Sequence, residues 1–327
     1  MRSFSNTAVP AVLLILLPAI LAAQETTASP TVTASKAFKL SGYGQFLYTA
    51  QDPEIDAWSI HRARLVFSAE LLKNVRFKVQ MDLVKSPALV DILVEFLLHE
   101  AASIRVGQFK VPFSLEMTTS SADLDLVNRS QTVNKLSPSL DIGGGGRDIG
   151  AVVFGKTAFL EYTFGLFNGS GANKADTNEK KDLAGRLIVH PLSFLSIGAS
   201  FYDGSYAPAA GAASVVRDRV GADLALIHGP ISLKADFIQA EDGETLRRGW
   251  YVQGGYVFLP KVLQGIVRFD SYDPDDAASG DRLDTWTVGL NWFLAERTKL
   301  QVNYELMKSQ AGATAGRSLL IQLQGGF

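Results

Sequence analysis

The side chains best equipped for chemistry in this sequence are charged residues set two apart. Arg62 and Arg64 form one such pair, Arg76 and Lys78 another, and Asp82 continues the second. A spacing of two puts side chains on one face of an extended strand. The same parity collects Arg186, Arg219, Lys234, Arg268 and Lys299 with Glu70, Glu95, Glu161, Asp223, Asp236, Asp270 and Glu305. A face carrying both signs makes and breaks no bonds; its field holds and orients small ions and dipolar solutes. Arg62, Arg64, Arg76 and Lys78 fall on consecutive segments. Side by side they repel unless carboxylates or anions lie between them, and their concentration implies a mild preference for anions.

Catalytic chemistry has less to work with. The histidines, His61, His99, His190 and His228, are scattered, none has a second His or a Cys at ligand spacing, and the chain contains no cysteine. That argues against a metal centre and against a disulfide framework. A Gly-x-Ser-x-Gly nucleophile elbow is absent. The glycine run Gly143–Gly146 is followed by Arg147, not by the Lys-Ser/Thr of a phosphate-cradling loop. The expectation is a protein that is not an enzyme, with no catalytic residue, metal or cofactor. A formal net charge of −2 argues against nucleic acid as a partner.

The elements that must carry these charges alternate with a period of two. Val75, Phe77, Val79, Met81 and Leu83 face away from Arg76, Lys78, Gln80 and Asp82; Leu300, Val302, Tyr304 and Leu306 face away from Lys299, Gln301, Asn303 and Glu305. About sixteen such segments begin near Lys36, Trp58, Val75, Ala88, Ser103, Arg147, Ala158, Asp182, Phe194, Arg217, Ile231, Arg248, Val262, Arg282, Thr298 and Gly316. Their length, about 10 to 13 residues, exceeds the roughly 5 to 6 of soluble strands and suits the roughly 9 to 11 of strands that cross a membrane. Tight connections such as Leu72–Asn74, Gly155–Thr157 and His228–Pro230 alternate with longer polar ones at Gln51–Ala57, Pro112–Gly146, Asn168–Lys181, Asp203–Val216, Glu241–Arg247, Asp273–Asp281 and Ser309–Ala315, with Lys85–Pro87 a short exception. Short turns on one side and long loops on the other predict an all-β fold. The expected form is a transmembrane antiparallel β-barrel of about sixteen strands, with its short turns and both chain ends periplasmic.

In that barrel the apolar face meets lipid and the charged face becomes an interior wall, because a basic residue at mid-bilayer costs about 2 to 4 kcal/mol. Arg62, Arg64, Arg76, Lys78, Asp82, Arg186, Lys234 and Arg268 are the candidates to line the pore. Pro112–Gly146, the third external connection, is too long for a passive turn and is expected to fold inward, its return leg bent at Gly143–Gly146. Glu116, Asp123, Asp125, Arg129, Lys135 and Arg147 are its candidate constriction residues. Aromatics near segment ends, among them Phe109, Phe113, Phe164, Phe167, Phe201, Tyr202, Trp286 and Trp292, are expected to form headgroup girdles.

The amino terminus reads as an export signal over residues 1–23. Arg2 supplies the charge, Val9–Leu21 the apolar stretch and Leu21-Ala22-Ala23 the small residues before a cut. Residues 24–35 (QETTASPTVTAS) form a polar, flexible periplasmic lead-in, and the barrel occupies 36–327.

Several stretches resemble the phosphate-selective porin O and P family. They are Arg62-Ala63-Arg64-Leu65, Phe77–Leu83, Ile104–Glu116 with its Val-Gly-Gln-Phe-Lys-Val-Pro-Phe run, and Gly146-Arg147-Asp148-Ile149-Gly150. The resemblance implies a 16-stranded outer-membrane porin, a homotrimer, passing small hydrophilic or anionic solutes, and a terminal Phe327 read during insertion. Members called phosphate-selective use a cationic constriction of loop lysines and wall arginines. Here the third loop carries only Arg129 and Lys135 before Arg147, against Glu116, Asp123, Asp125 and Asp141, which argues against phosphate as the favoured solute. The alternatives weighed against a pore are an outer-membrane lipase or protease and a closed barrel with a structural or adhesive role.

Overall fold

The computed structural model describes residues 38–52, 56–207, 209, 211–310 and 314–327. The export segment and the lead-in lie outside the described residues. Seventeen strands form one antiparallel sheet. They are β1 (Phe38–Asp52), β2 (Ala57–Leu72), β3 (Val75–Asp82), β4 (Leu89–His99), β5 (Ala102–Lys110), β6 (Arg147–Lys156), β7 (Leu160–Phe167), β8 (Asp182–Leu192), β9 (Leu195–Asp203), β10 (Ser205–Tyr206), β11 (Val215–His228), β12 (Ile231–Asp242), β13 (Thr245–Leu259), β14 (Leu263–Asp273), β15 (Leu283–Ala295), β16 (Thr298–Ser309) and β17 (Thr314–Gly326). The two-residue β10 continues β9 past Gly204 in the same register against β11, so the sheet has sixteen full strands. Tyr43 of β1 stands opposite Arg64 of β2 on one side and Gly326 of β17 on the other. That double pairing closes the barrel and leaves no open edge to be satisfied in lipid.

The period of two sorts the wall. Lys299, Gln301 and Asn303 of β16 are buried inside while Tyr304 is exposed outside; Gln80 and Asp82 of β3 are buried while Leu83 just beyond it is exposed. The outer face is a band of exposed Ile, Val, Leu and aromatic side chains, Trp58 at 78% being the extreme. A band of this extent requires an apolar solvent. Among the described residues no helix is long and apolar enough to cross a membrane.

Three sequence expectations need correction. The sixteen full strands run from 8 residues in β3 and β7 to 16 in β2, wider than anticipated, with β3–β9 forming a short arc of wall. The connection expected at Glu241–Arg247 is a two-residue hairpin at Gly243–Glu244, because Gly243 takes φ +63° and the polar residues around it pair across the strands, Asp242 opposite Thr245. The aromatics do not all join the girdle. Phe164 is outward and exposed, but Phe109, Phe113, Phe167 and Tyr202 are buried in an interior core with Val133, Leu136 and Tyr251.

That core exists because the long β5–β6 connection folds into the barrel. Its base is tied by Val111 N donating to Gly146 O at 3.0 Å. Gly143, Gly145 and Gly146 bend the return leg at φ +77°, +67° and +75°. Two short helices stiffen it: α1 (Leu115–Thr118), capped by Ser114, and α2 (Gln131–Leu136), capped by Ser130. Gly107 of β5 is required by close approach. At φ +132° a Cβ there would sit 2.2 Å from the Ile92 carbonyl oxygen.

Candidate functional site: a charged lumen narrowed by one loop

The loop is fastened along the tall arc of wall. Asp236 of β12 accepts from Leu115 N at 3.2 Å and Glu116 N at 3.3 Å, at the start of α1. Asp270 of β14 does the same for α2, accepting from Gln131 N and from Thr132 N at 3.3 Å and Oγ1 at 2.7 Å. A carboxylate on free backbone N–H groups makes charge-assisted bonds. Loop carboxylates answer with wall cations. Arg268 donates to Glu116 at 3.1 Å, Lys234 to Asp125 at 2.6 Å, and Arg217 with Arg219, the latter at 2.8 Å, to Asp141. Lys299 donates to the Leu124 carbonyl at 2.7 Å, and Asn303 accepts from Val127 N at 2.7 Å.

Across the lumen the balance is different. Arg64 pairs with Asp82 at 3.2 Å; Lys78 and Arg147 share Asp91, each at 2.8 Å. Arg62 donates to Gln45 at 2.7 Å and has no carboxylate within ion-pair distance among the described residues. Among the described residues Arg129, hanging from the loop, donates to carbonyls, Glu116 O at 3.1 Å and Thr119 O at 2.8 Å. Lys110 gives its three donors to the Met117, Thr118 and Thr119 carbonyls at 2.8, 3.1 and 2.5 Å. Lys85, in the β3–β4 connection, stands near Arg64, Arg62 and Arg147. With Glu116 committed to Arg268, seven cations (Arg62, Arg64, Lys78, Lys85, Lys110, Arg129 and Arg147) face two carboxylates, Asp82 and Asp91.

The connecting segments register that excess. Partial enclosure pushes the Lys85 ammonium below its ordinary value, and Arg64, Arg62 and Arg147 add to the shift against Asp82. Enclosure likewise lowers Arg129; Glu116 opposes it while Arg147 and Arg64 reinforce it. Both are groups that an anion would relieve.

The candidate residues thus divide. Arg62, Arg64, Lys78, Asp82, Arg129 and Arg147 come together on one side of the lumen. Arg268 with Glu116, and Lys234 with Asp125, come together on the other. Arg186 is buried in a pair with Asp223. Arg76 lies apart near the β2–β3 turn, exposed, with Glu70 at 3.6 Å. Lys135 is exposed in the last turn of α2, and Asp123 lines a cavity of about 350 Å³ with Asp125 and Lys299. Lys85, Lys110 and Arg217 escaped the sequence reading. Lys110 is the lysine of the Val-Gly-Gln-Phe-Lys-Val-Pro-Phe run, and that run was its one visible signal.

The profile of the phosphate-selective porin O and P family matches residues 41–210 and 203–324. The chain belongs to that family. Among solved structures, this porin resembles the anion-selective porin from Comamonas acidovorans at 14% identity and TM-score 0.70, over 89% of this chain and 100% of that one. It also resembles Salmonella typhi OmpF in complex with daunomycin, at 8% identity and TM-score 0.68 over 89% and 98% of the two chains. The outer-membrane channel DcaP of Acinetobacter baumannii matches at 12% identity and TM-score 0.61, over 92% and 100%. At these identities the likeness is one of fold. No curated protein matches the sequence. Family and fold together make this a porin-type barrel of the bacterial outer membrane, a channel fold for passive solute diffusion and not an enzyme fold.

Proposed function

We propose that this porin admits small hydrophilic solutes with a preference for anions, set by the cation-rich side of its lumen. The observation that carries the reading is the imbalance of seven cations against Asp82 and Asp91. A low-dielectric wall of one predominant sign focuses its field into the passage and raises the local concentration of counter-ions. Of the four loop carboxylates that argued against an anion path, three are spent elsewhere and Asp123 is exposed. Glu116, Asp125 and Asp141 are bound to Arg268, Lys234, Arg217 and Arg219. The Comamonas relative is called anion-selective, which agrees with this reading. A homotrimer and export by cleavage after residue 23 complete the proposal; a Vibrio cholerae OmpT structure of the same fold is described as a trimer form.

The test is planar-bilayer recording of the purified protein under a potassium chloride gradient, repeated with phosphate. Stepwise conductance with a reversal potential of the anion-preferring sign supports the reading. Cation preference rejects the selectivity, and silence rejects the pore.

A further inference from the structure

On the outer surface, charge meets lipid-facing rings across β13 to β15. On β13 the inward positions are Gly249, where a Cβ would meet Thr132 of α2, and the buried Tyr251. Arg248 therefore points outward with the exposed Trp250, three residues past the start of β13 at the external hairpin. Arg248 and Arg282 line a cavity of about 330 Å³ with Asp273, Asp276 and Asp284, above the rings of Trp250 and Phe269. Those rings continue along the wall, with Trp250 to Phe269 at 5.3 Å and Phe269 to Trp286 at 4.9 Å between centroids.

The charges in the cavity are only partly satisfied by one another. Arg248 meets Asp276 at 3.0 Å, and Arg282 meets Asp284 at 3.4 Å while Ser271 Oγ donates to Asp284 at 2.7 Å. Arg282 Nε is the atom that faces Asp284, and among the described residues it makes no hydrogen bond there or elsewhere. Asp273 accepts from Asp275 N at 3.3 Å and has no cation within ion-pair distance among the described residues. Two guanidiniums and three carboxylates thus share one concavity at the external rim of the lipid-facing belt, on the opposite side of the wall from any solute in the lumen.

We propose that this cavity seats the headgroup of a membrane lipid that carries a phosphate beside a primary ammonium. The phosphate lies on Arg248 and Arg282, whose planar forks suit its oxygens. The ammonium lies among Asp273, Asp276 and Asp284, and the acyl chains run along Trp250, Phe269 and Trp286. A headgroup with phosphate alone meets an excess of carboxylate, and an uncharged one leaves the arginines without an anion. The proposal rests on the reading of the outer face as lipid-exposed.

Native mass spectrometry of the full-length barrel in detergent tests it, using equal amounts of phosphatidylethanolamine, phosphatidylglycerol and diacylglycerol with the same acyl chains. Phosphatidylethanolamine should be retained about tenfold over the other two, the ratio of one charge-assisted hydrogen bond. The Arg248→Gln/Arg282→Gln double variant should lose that preference, and Arg248→Lys/Arg282→Lys should keep part of it. Equal retention of all three lipids means apolar adsorption only and overturns the site, as does a preference that survives the glutamine variant. Preferred phosphatidylglycerol overturns the role of the carboxylates. Bilayer conductance of the same preparations reports the pore separately, so failure of one reading is distinguishable from failure of the other.

Discussion

On the tall arc from β11 to β17, wall and loop exchange charges almost one for one: Arg268 with Glu116, Lys234 with Asp125, Arg217 and Arg219 with Asp141, and Asp236 and Asp270 with the N-termini of α1 and α2. On the opposite arc, from β2 to β6, Arg62, Lys110 and Arg129 have amide or carbonyl partners, and Lys85 stands among Arg64, Arg62 and Arg147 with Asp82, which is already paired with Arg64. Both arcs draw on the same residue types. The first uses its charges to hold a loop in place, which cancels their field. The second leaves its charges uncancelled, and a field is what acts on a passing ion. Where charges sit therefore matters less than which of them already have an opposite partner.

That contrast can be broken first at its anchor. Arg268→Met removes the partner of the buried Glu116 carboxylate, with side chains only 2% and 8% exposed. Stranding a buried charge costs about 3 to 5 kcal/mol. The expected outcome is a marked fall in thermal stability with larger, noisier single-channel currents as the loop loosens, while the sign of the reversal potential is kept. Asp270→Asn, which weakens the hold on Gln131 and Thr132 but leaves an acceptor, should cost about 1.5 to 3 kcal/mol and give a milder version of the same noise. Raising the salt leaves the fold intact but should shrink the anion preference of the unaltered protein, because the Debye length falls from about 10 Å at 0.1 M to about 3 Å at 1 M. Arg76→Gln should change neither melting nor reversal potential, since the Arg76–Glu70 pair is solvent-exposed at 55% and 65% and lies outside the cluster.

Much of the barrel was legible from local pattern. Alternation such as Val75–Asp82 or Lys299–Leu306 fixes which face is oily, and turn chemistry marks the strand ends, so the segment starts read from sequence lie within three residues of the strands observed. Length alone flagged the inward loop. What alternation could not reveal was the partner of each charge. Glu116, Asp125 and Asp141 read as acids that would repel an anion, yet their partners lie 152, 109 and 76 to 78 residues away along the chain. Phe109, Phe113, Phe167 and Tyr202 were misread for a related reason. A ring at the end of a strand suits a headgroup or an inserted loop equally well, and only the fold of that loop decides. Lys110 escaped because it closes a strand, where period two no longer says which way a side chain points.

The most direct test of the contrast compares two neutralised barrels under one salt gradient. Arg62→Gln/Arg129→Gln removes two cations that have no carboxylate partner, and Lys234→Gln/Asp125→Asn removes a matched pair from the loop-bearing wall. The reversal potential should move toward cation preference in the first variant and stay at the unaltered value in the second. Equal shifts in both, or no shift in the first, would contradict the claim that the unpaired wall governs which ions pass.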